Sequence, residues 1–259
     1  MISPLAYVDP EAKIGQNVAI HPFAYIDKNV EIGDNCTIMP YASILSGTRM
    51  GTDNTIYQGA IIGATPQDFK FKGEDTLLII GHKNTIREKV IINRGTNTFD
   101  STIIGNGNFL LEGVHLAHDT HIGDNCVFGN GAKTAGNCIV DNYAILGSGV
   151  ILKHGCRVGS WTLVRDGCRA NKDVPPYIVA AHNPITYYGI NAVILTKDGH
   201  VTDHVIDNIA KCYRQIYQCG TSLENALRRI REIIPLSPEI TYLLDFIERS
   251  SKGIIGVNM

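Results

Sequence analysis

The chain has 259 residues, a formal net charge of −2 and 19% charged residues. This balance argues against a nucleic-acid-binding protein held by a general basic surface, and no apolar run approaches the roughly 18 residues of a membrane span. The seven cysteines are an odd number without a C-x-x-C pair, which favours reduced thiols in a cytoplasm over a disulfide framework. The first residues lack a charged segment followed by an apolar core, so we expect no signal peptide.

Apolar residues recur at every sixth position over two-thirds of the chain. A first run of such residues extends from Val8 to Ile62. The same six-residue phase returns at Ile80, Ile86 and Ile92, and again from Ile104 to Ala170. In that last run only Thr134 and Ala170 are not bulky and apolar. The first run comprises Val8, Ile14, Ile20, Ile26, Ile32, Ile38, Ile44, Met50, Ile56 and Ile62.

A period of six is neither helical nor a simple strand alternation. It fits a short strand, a corner and another short strand, so that three hexapeptides make one triangular turn of eighteen residues. Glycines after the aliphatic residue, such as Gly15, Gly33 and Gly51, are spaced by eighteen. The sequence therefore predicts a mainly-β protein in which residues 1–190 form a left-handed parallel β-helix.

Small residues occupy the fourth position after each aliphatic residue of the repeat. Five cysteines fall on that position, and we interpret them as small buried side chains rather than metal ligands. They are Cys36, Cys126, Cys138, Cys156 and Cys168.

The repeat lapses at about 64–78 and again at about 97–102. The first lapse gathers Gln67, Asp68 and Lys70 around Phe69 and Phe71. Loops that leave a rigid scaffold often carry binding residues, so this loop is a candidate binding element.

From residue 191 to 259 we predict a helical domain, because apolar residues after Thr202 follow helical spacing. Thr221 followed by Glu224 has the pattern of a capping box that opens a second helix. Ser237 and Pro238 open a third, which we expect to stop near Gly253. The polar faces are mixed in sign, so these helices are expected to pack on the protein and not on a membrane surface.

Chemistry-bearing side chains are densest in the segment 115–121. A histidine beside a carboxylate, as His118 is beside Asp119, can act as a general base at neutral pH. The eighteen-residue period stacks His118, Gly136 and His154 in one column, which places a glycine N–H one turn from the base. Such an N–H can stabilise an oxyanion, and the column therefore indicates acyl transfer to a hydroxyl.

Two other interpretations of this segment stay open. The histidines could simply be polar exterior residues of the solenoid. Alternatively, His115, His118 and His121 could bind zinc across a subunit interface, although their spacing is not a strong ligand signature.

Several motifs occur together in one order along the whole chain. They are PQDFK (66–70), IREKVIINRGT (86–96), GVHLAHD (113–119), AGN (135–137), DVPPY (173–177) and GIN (189–191). With the hexapeptide array and helical tail, the chain resembles the acyl-(acyl-carrier-protein)–UDP-N-acetylglucosamine O-acyltransferase family, the first enzymes of lipid A synthesis. The resemblance implies a cytoplasmic homotrimer from a Gram-negative type of bacterium, with active sites between subunits.

The same resemblance implies transfer of a (3-hydroxy)acyl chain from acyl-carrier protein to the glucosamine 3-hydroxyl of UDP-N-acetylglucosamine. His118 matches the general base, Asp119 its partner, and the N–H of Gly136 the oxyanion donor. Neither a metal nor an organic cofactor is implied, because the thioester supplies the activated acyl group. The predicted substrate-binding residues are Gln67, Asp68, Lys70, His115, Lys153, His154 and Asn191.

Four positions depart from the family pattern. Asn137 replaces a histidine, Lys153 lies in the segment LKHG (152–155) where members often have VHQF, and Arg165 and Asp166 replace small residues. The alternatives are therefore a related hexapeptide acyltransferase with another donor or acceptor, a non-catalytic nucleotide-sugar-binding paralogue, or a metal-dependent hydratase on the same scaffold.

Overall fold

A computed structural model describes residues 1–198 and 201–257. Most of this part of the chain consists of very short strands. In chain order they are β1 Tyr7–Val8, β2 Lys13–Ile14, β3 Ala19–Ile20, β4 Tyr25–Ile26, β5 Glu31–Ile32, β6 Thr37–Ile38, β7 Ser43–Ile44, β8 Thr48–Met50, β9 Thr55–Ile56, β10 Ile61–Ala64, β11 Leu78–Ile80, β12 Thr85–Ile86, β13 Ile91–Asn93, β14 Thr102–Ile104, β15 Phe109–Leu110, β16 His115–Leu116, β17 His121–Ile122, β18 Val127–Phe128, β19 Lys133–Thr134, β20 Ile139–Val140, β21 Ile145–Leu146, β22 Ile151–Leu152, β23 Arg157–Val158, β24 Leu163–Val164, β25 Arg169–Ala170, β26 Ile178–Ala181 and β27 Thr186–Ile190.

These strands form the three faces of a triangular prism. One sheet of nine strands runs from β1 to β25, one of eight runs from β2 to β23, and one of ten contains β3 and ends in the hairpin β26–β27. Pairing is parallel up to β26, and most partners lie eighteen residues apart, as in His115 beside Lys133. The predicted left-handed parallel β-helix with a helical C-terminal part is confirmed.

The repeat's aliphatic residues fill the interior of the prism. Leu116, Ile62 and Leu146 have no exposed surface, and the five cysteines of the small-residue position are buried as predicted. Burial raises the pKa of Cys126 to about 12, which makes its thiol inert at neutral pH.

An internal ladder of amides runs beside the apolar core. The side-chain oxygen of Asn54 accepts from Asn84 N–H at 2.9 Å, and that of Asn84 accepts from Asn108 N–H at 2.8 Å. Asn108 in turn accepts from Cys126 N–H at 2.8 Å. The ladder satisfies buried backbone donors where one corner follows another.

The C-terminal helices are α1 Ala192–Asp198, α2 Asp203–Tyr217, α3 Leu223–Ile233 and α4 Pro238–Glu248. Ser237 caps α4 as predicted, whereas Ser222, not Thr221, caps α3 by accepting from Asn225 N–H. Helix α4 ends at Glu248, earlier than the expected stop near Gly253. No helix in the described ranges is long and apolar enough to cross a membrane.

The chain end returns to the β-helix after α4. Asp173 N–H donates to the carbonyl of Gly253 at 3.0 Å, and Ile255 N–H donates to the carbonyl of Asp173 at 3.0 Å. We call residues 250–256 the C-terminal segment. It is held at the end of the prism by paired backbone groups.

Candidate active site

His118 lies at the corner between the nine-stranded and eight-stranded sheets, in the turn that joins β16 to β17. Its residue surface is only 9% exposed. The ring Nδ1 lies 2.8 Å from Oδ2 of Asp119. An ionised carboxylate at this distance accepts from Nδ1–H, so Nε2 keeps its lone pair.

Asp119 is fixed by the second loop, which spans 94–101 between β13 and β14. Thr96 donates its N–H to Oδ1 at 2.9 Å and its hydroxyl to Oδ2 at 2.7 Å. Burial alone would raise the pKa of Asp119, but the hydrogen bonds from His118 and Thr96 outweigh it and hold that pKa below its ordinary value. The carboxylate therefore stays ionised at neutral pH.

The first loop, 65–77, brings a second carboxylate to the other side of the imidazole. Asp68 Oδ2 lies 3.8 Å from His118 Nε2, too far for a direct hydrogen bond, but a hydroxyl beside the two atoms could contact both. Lys70 N–H donates to Asp68 Oδ1 at 2.8 Å, so the loop is ordered locally around Asp68. Gln67 and Phe69 are exposed nearby in the chain.

Gly136 lies directly under the imidazole, one turn along the prism, as the spacing of eighteen predicted. A Cβ at this position would lie 2.7 Å from His118 Nε2 and 3.0 Å from Nδ1, so only glycine fits beneath the ring. Asn137 N–H donates to the His118 carbonyl at 3.1 Å. Within residues 1–198 and 201–257 the Gly136 N–H donates to no protein acceptor and is available to a substrate oxygen.

Beside this corner, the nine-stranded sheet carries a cavity of about 540 Å³. His115, Lys153 and His154 line it, and of these His154 continues the column of His118 and Gly136: Gly155 N–H donates to the Gly136 carbonyl at 3.0 Å. Burial, helped by Lys133 and His118, lowers the pKa of His115. His115 is therefore neutral at pH 7 and can donate or accept a hydrogen bond.

Within one chain, Asn191 lies at a different corner of the prism from His118. It follows β27, its amide donates to the Trp161 carbonyl at 2.9 Å, and it is 4% exposed. Trp161 lies between β23 and β24, where the eight-stranded sheet meets the ten-stranded one. Asp68, Asp119 and Gly136 thus lie against His118, and His115, Lys153 and His154 line the adjoining cavity, whereas Asn191 lies at another corner.

His118 and His121 have separate partners. His121 Nε2 lies 3.2 Å from Asp100 Oδ1 and 3.1 Å from the Ser101 carbonyl, whereas His118 contacts Asp119. Over the described ranges, no three His, Cys, Asp or Glu side chains converge as metal ligands. Within one chain His115, His118 and His121 do not share a ligand set, and zinc binding across a subunit interface stays a prediction.

The positions that depart from the family pattern are integrated into the fold. Asn137 adopts the left-handed conformation at φ 59°, which asparagine tolerates better than most residues. Asp166 Oδ1 accepts from Ser148 N–H at 2.8 Å, and the Arg165 guanidinium stacks on the Tyr188 ring at 4.2 Å. Among the described residues, the imidazole of His118 forms no hydrogen bond with any of these three side chains.

Sequence reasoning missed the threonines that support the corner with His118. Thr96 holds Asp119 from outside the repeat, and Thr102 Oγ1 accepts from Asp119 N–H at 2.9 Å. Thr134 accepts from Ala117 N–H at 3.2 Å. Only Thr134 left a signal, because it interrupts the apolar phase of the interior.

The chain is similar to known proteins over nearly its whole length. A family model described as UDP-N-acetylglucosamine O-acyltransferase, domain 2, matches residues 173–255, and the bacterial transferase hexapeptide model matches 11–38, 29–64 and 101–136. An acyl-(acyl-carrier-protein)–UDP-N-acetylglucosamine O-acyltransferase of Halorhodospira halophila is 37% identical over 255 residues, covering 98% of both chains.

Solved structures match over the same extent. The UDP-N-acetylglucosamine acyltransferase of Bacteroides fragilis is 52% identical, with a TM-score of 0.95 over 98% of this chain and 100% of that one. The corresponding protein of Acinetobacter baumannii is 32% identical, with a TM-score of 0.93 over 98% and 99% of the two chains.

Proposed function

The chain belongs to the acyl-(acyl-carrier-protein)–UDP-N-acetylglucosamine O-acyltransferase family, and we propose that His118 is its general base. The protein is an acyltransferase that moves an acyl chain from acyl-carrier protein to UDP-N-acetylglucosamine, the first step of lipid A biosynthesis. The pairing of His118 Nδ1 with Asp119 at 2.8 Å carries the proposal, because it leaves Nε2 as a base in a nearly buried pocket.

The reaction begins at the 3-hydroxyl of the glucosamine. His118 Nε2 takes its proton while the oxygen attacks the thioester carbonyl, forming a C–O bond. The ionised Asp119 stabilises the resulting imidazolium and keeps the ring oriented. The acceptor hydroxyl would lie beside Nε2 and Asp68 Oδ2, within hydrogen-bond distance of both atoms.

The carbonyl oxygen becomes an oxyanion in the tetrahedral intermediate. The Gly136 N–H, adjacent to the ring and without a protein acceptor in the described ranges, would donate to it. Collapse of the intermediate breaks the C–S bond, and the departing thiolate of the carrier protein takes the proton from His118. The products are the sugar ester and the carrier thiol, so no external reagent is needed.

The acceptor sugar is assigned to the first loop and the adjoining cavity. Asp68 reaches the corner from the first loop, which also carries Gln67 and Lys70, and His115, Lys153 and His154 line the cavity along the nine-stranded sheet. This division is supported by the 3.8 Å approach of Asp68 to the base and by the cavity beside it.

A homotrimer would complete the site. The eight-stranded sheet carries on its outer face a column with Ile79, Ile103 and Ile139, which are 39%, 36% and 37% exposed. Its two edges are the corner with His118 and the corner near Asn191. Copies that pack by this face around a threefold axis would cover the isoleucines and bring Asn191 of one subunit toward His118 of the next.

We propose a cytoplasmic location, which the thiols and the substrates support. All seven cysteines are unpaired in the described ranges, which suits a reducing cytoplasm. Acyl-carrier protein and nucleotide sugars would be supplied there.

A mass-resolved acyl-transfer assay tests the proposal. UDP-N-acetylglucosamine is offered with a panel of acyl-carrier-protein donors and with acyl-coenzyme A, using the wild type, His118→Ala and His21→Ala. His21 lies in an N-terminal turn away from the site, so its variant should match the wild type. His118→Ala should lose roughly a hundredfold to ten-thousandfold in kcat with an unchanged oligomer, and an active His118→Ala enzyme would refute the assignment.

A further inference from the structure

Three lysines from separate parts of the chain line the cavity beside the catalytic corner. Lys133 lies on β19, Lys153 follows β22, and Lys252 belongs to the C-terminal segment. Lys133 pairs in register with His115, so this group begins one strand away from the catalytic turn.

The positive charge of these lysines is uncompensated. The lining residues include no carboxylate, and none of the three lysines forms an ion pair in the part of the chain that the structure describes. Elsewhere lysines do find partners: Lys13 lies 2.8 Å from Glu31, and Lys211 lies 2.7 Å from Asp207. Positive charges gathered in one cavity raise the local concentration of anions and repel cations.

Lys252 reaches the cavity because the C-terminal segment is fixed. Asp173 binds this segment through its backbone and also accepts the Ser250 hydroxyl at 2.7 Å. The Lys252 side chain then crosses Gly155, where a Cβ would lie 3.1 Å from its Cε. The lysine is therefore held against the turn that follows Lys153.

We propose that Lys133, Lys153 and Lys252 bind a phosphoryl group of a substrate, an inference that rests on the acyl transfer proposed above. Ammonium groups suit phosphate because each carries three donors that rotate to meet its oxygens. Both substrates carry such a group: the nucleotide sugar has a diphosphate, and the arm of the carrier protein has a phosphodiester. Lys133 and Lys252 thereby become binding residues contributed from outside the catalytic column.

Calorimetric titration of the full-length oligomer tests the inference without turnover. UDP is compared with uridine, and 4′-phosphopantetheine with pantetheine, so each pair differs by phosphate alone. The protein variants are the wild type, Lys252→Met, Lys133→Met and Lys252→Arg, with Lys28→Met as the matched control on a distant N-terminal turn. Thermal unfolding of each variant checks that the fold is kept.

We expect one phosphate-bearing probe to bind the wild type at least roughly tenfold more tightly than its phosphate-free partner. Lys252→Met and Lys133→Met should each remove most of that difference, Lys252→Arg should restore it, and Lys28→Met should leave it unchanged. Tighter binding of UDP than of uridine would identify the diphosphate as the ligand. Tighter binding of 4′-phosphopantetheine than of pantetheine would identify the carrier arm.

The inference is overturned if neither pair shows a phosphate-dependent difference, or if the Lys252 and Lys133 variants leave that difference unchanged. Because these are binding measurements, they separate from the acyl-transfer assay. If the enzyme turns over normally but shows no phosphate-dependent difference in binding, only the lysine assignment is refuted. If it binds the phosphate-bearing probe but makes no product, only the proposed reaction is refuted.

Discussion

The carboxylate of Asp119 joins two elements that the repeat does not connect. Its Oδ2 lies 2.8 Å from His118 Nδ1 and accepts the Thr96 hydroxyl at 2.7 Å. The imidazole is thus oriented by a residue of its own corner, which is held in turn by a loop that interrupts the β-helix. The orientation of the imidazole therefore depends on the loop as well as on the scaffold.

Asp119→Asn should impair catalysis far more than folding. The amide would have to present its NH₂ either to His118 Nδ1, which forces the wrong tautomer, or to the Thr96 donors. By analogy with an oriented histidine–carboxylate pair elsewhere, kcat should fall roughly a hundredfold to ten-thousandfold. Steady-state kinetics beside thermal unfolding measure this, and a variant with near-normal kcat would show that the carboxylate does not set the tautomer.

Thr96→Val should expose the positioning role of the second loop. Valine keeps the backbone N–H that binds Asp119 but removes the hydroxyl donor, so the pKa of Asp119 should rise. We expect kcat to fall by roughly threefold to thirtyfold, as for the loss of a hydrogen bond to a charged group, and the acid limb of the pH–rate profile to move to higher pH.

Thr55→Val is the matched control for this change, because Thr55 lies on the outer face of the ten-stranded sheet and no side-chain hydrogen bond involves it among the described residues. Its pH–rate profile should coincide with that of the wild type. Equal profiles for Thr96→Val and Thr55→Val would count against a role for the Thr96 hydroxyl.

The β-helix could be predicted because the sequence pattern that specifies it repeats within each hexapeptide. Each hexapeptide places one aliphatic residue inside and one small residue near a corner, so Leu116 and Cys138 could be assigned without any tertiary information. The same period predicted the stacking of His118 over Gly136, since positions eighteen apart must share a column. Local periodicity is enough wherever successive turns only contact each other.

Contacts made from outside the repeat could not be predicted in this way. Thr96 and Asp68 belong to loops with no period, and Lys252 approaches from a segment nearly a hundred residues beyond the turn that it covers. Asn191 matched a family motif, yet within one chain it lies at another corner. The position of the α3 cap at Ser222 was missed because Thr221 offers an equally plausible sequence signal.

Gly136→Ala should disable the enzyme through the position of His118. A methyl group there would overlap the imidazole, so the ring must leave Asp119 and the Gly136 N–H becomes shielded. We expect kcat to fall by about a hundredfold or more, with a modest loss of thermal stability. Gly256→Ala, where a Cβ would meet nothing within 4 Å, should retain full activity, and normal turnover by Gly136→Ala would contradict the proposed stacking.

Asp141→Asn should stabilise the protein increasingly as the pH rises. Asp141 Oδ2 accepts the Tyr242 hydroxyl at 2.6 Å and thereby links the β-helix to α4. Burial raises the pKa of Asp141, against the opposing effects of Tyr242 and Arg157. The folded state therefore binds this proton more tightly than the unfolded state, and stability present below the ordinary carboxyl pKa is lost as the pH rises through the raised value.

Asparagine keeps an oxygen that can accept from Tyr242 but carries no charge. The Tm of Asp141→Asn minus that of the wild type should therefore be more positive at about pH 7 than at about pH 4. Asp75→Asn, a change at an exposed carboxylate of the first loop, serves as control and should show no such trend. The Tm difference between Asp141→Asn and the wild type could instead stay constant or shrink toward neutral pH. In that case the buried charge of Asp141 would not destabilise the contact between the β-helix and α4.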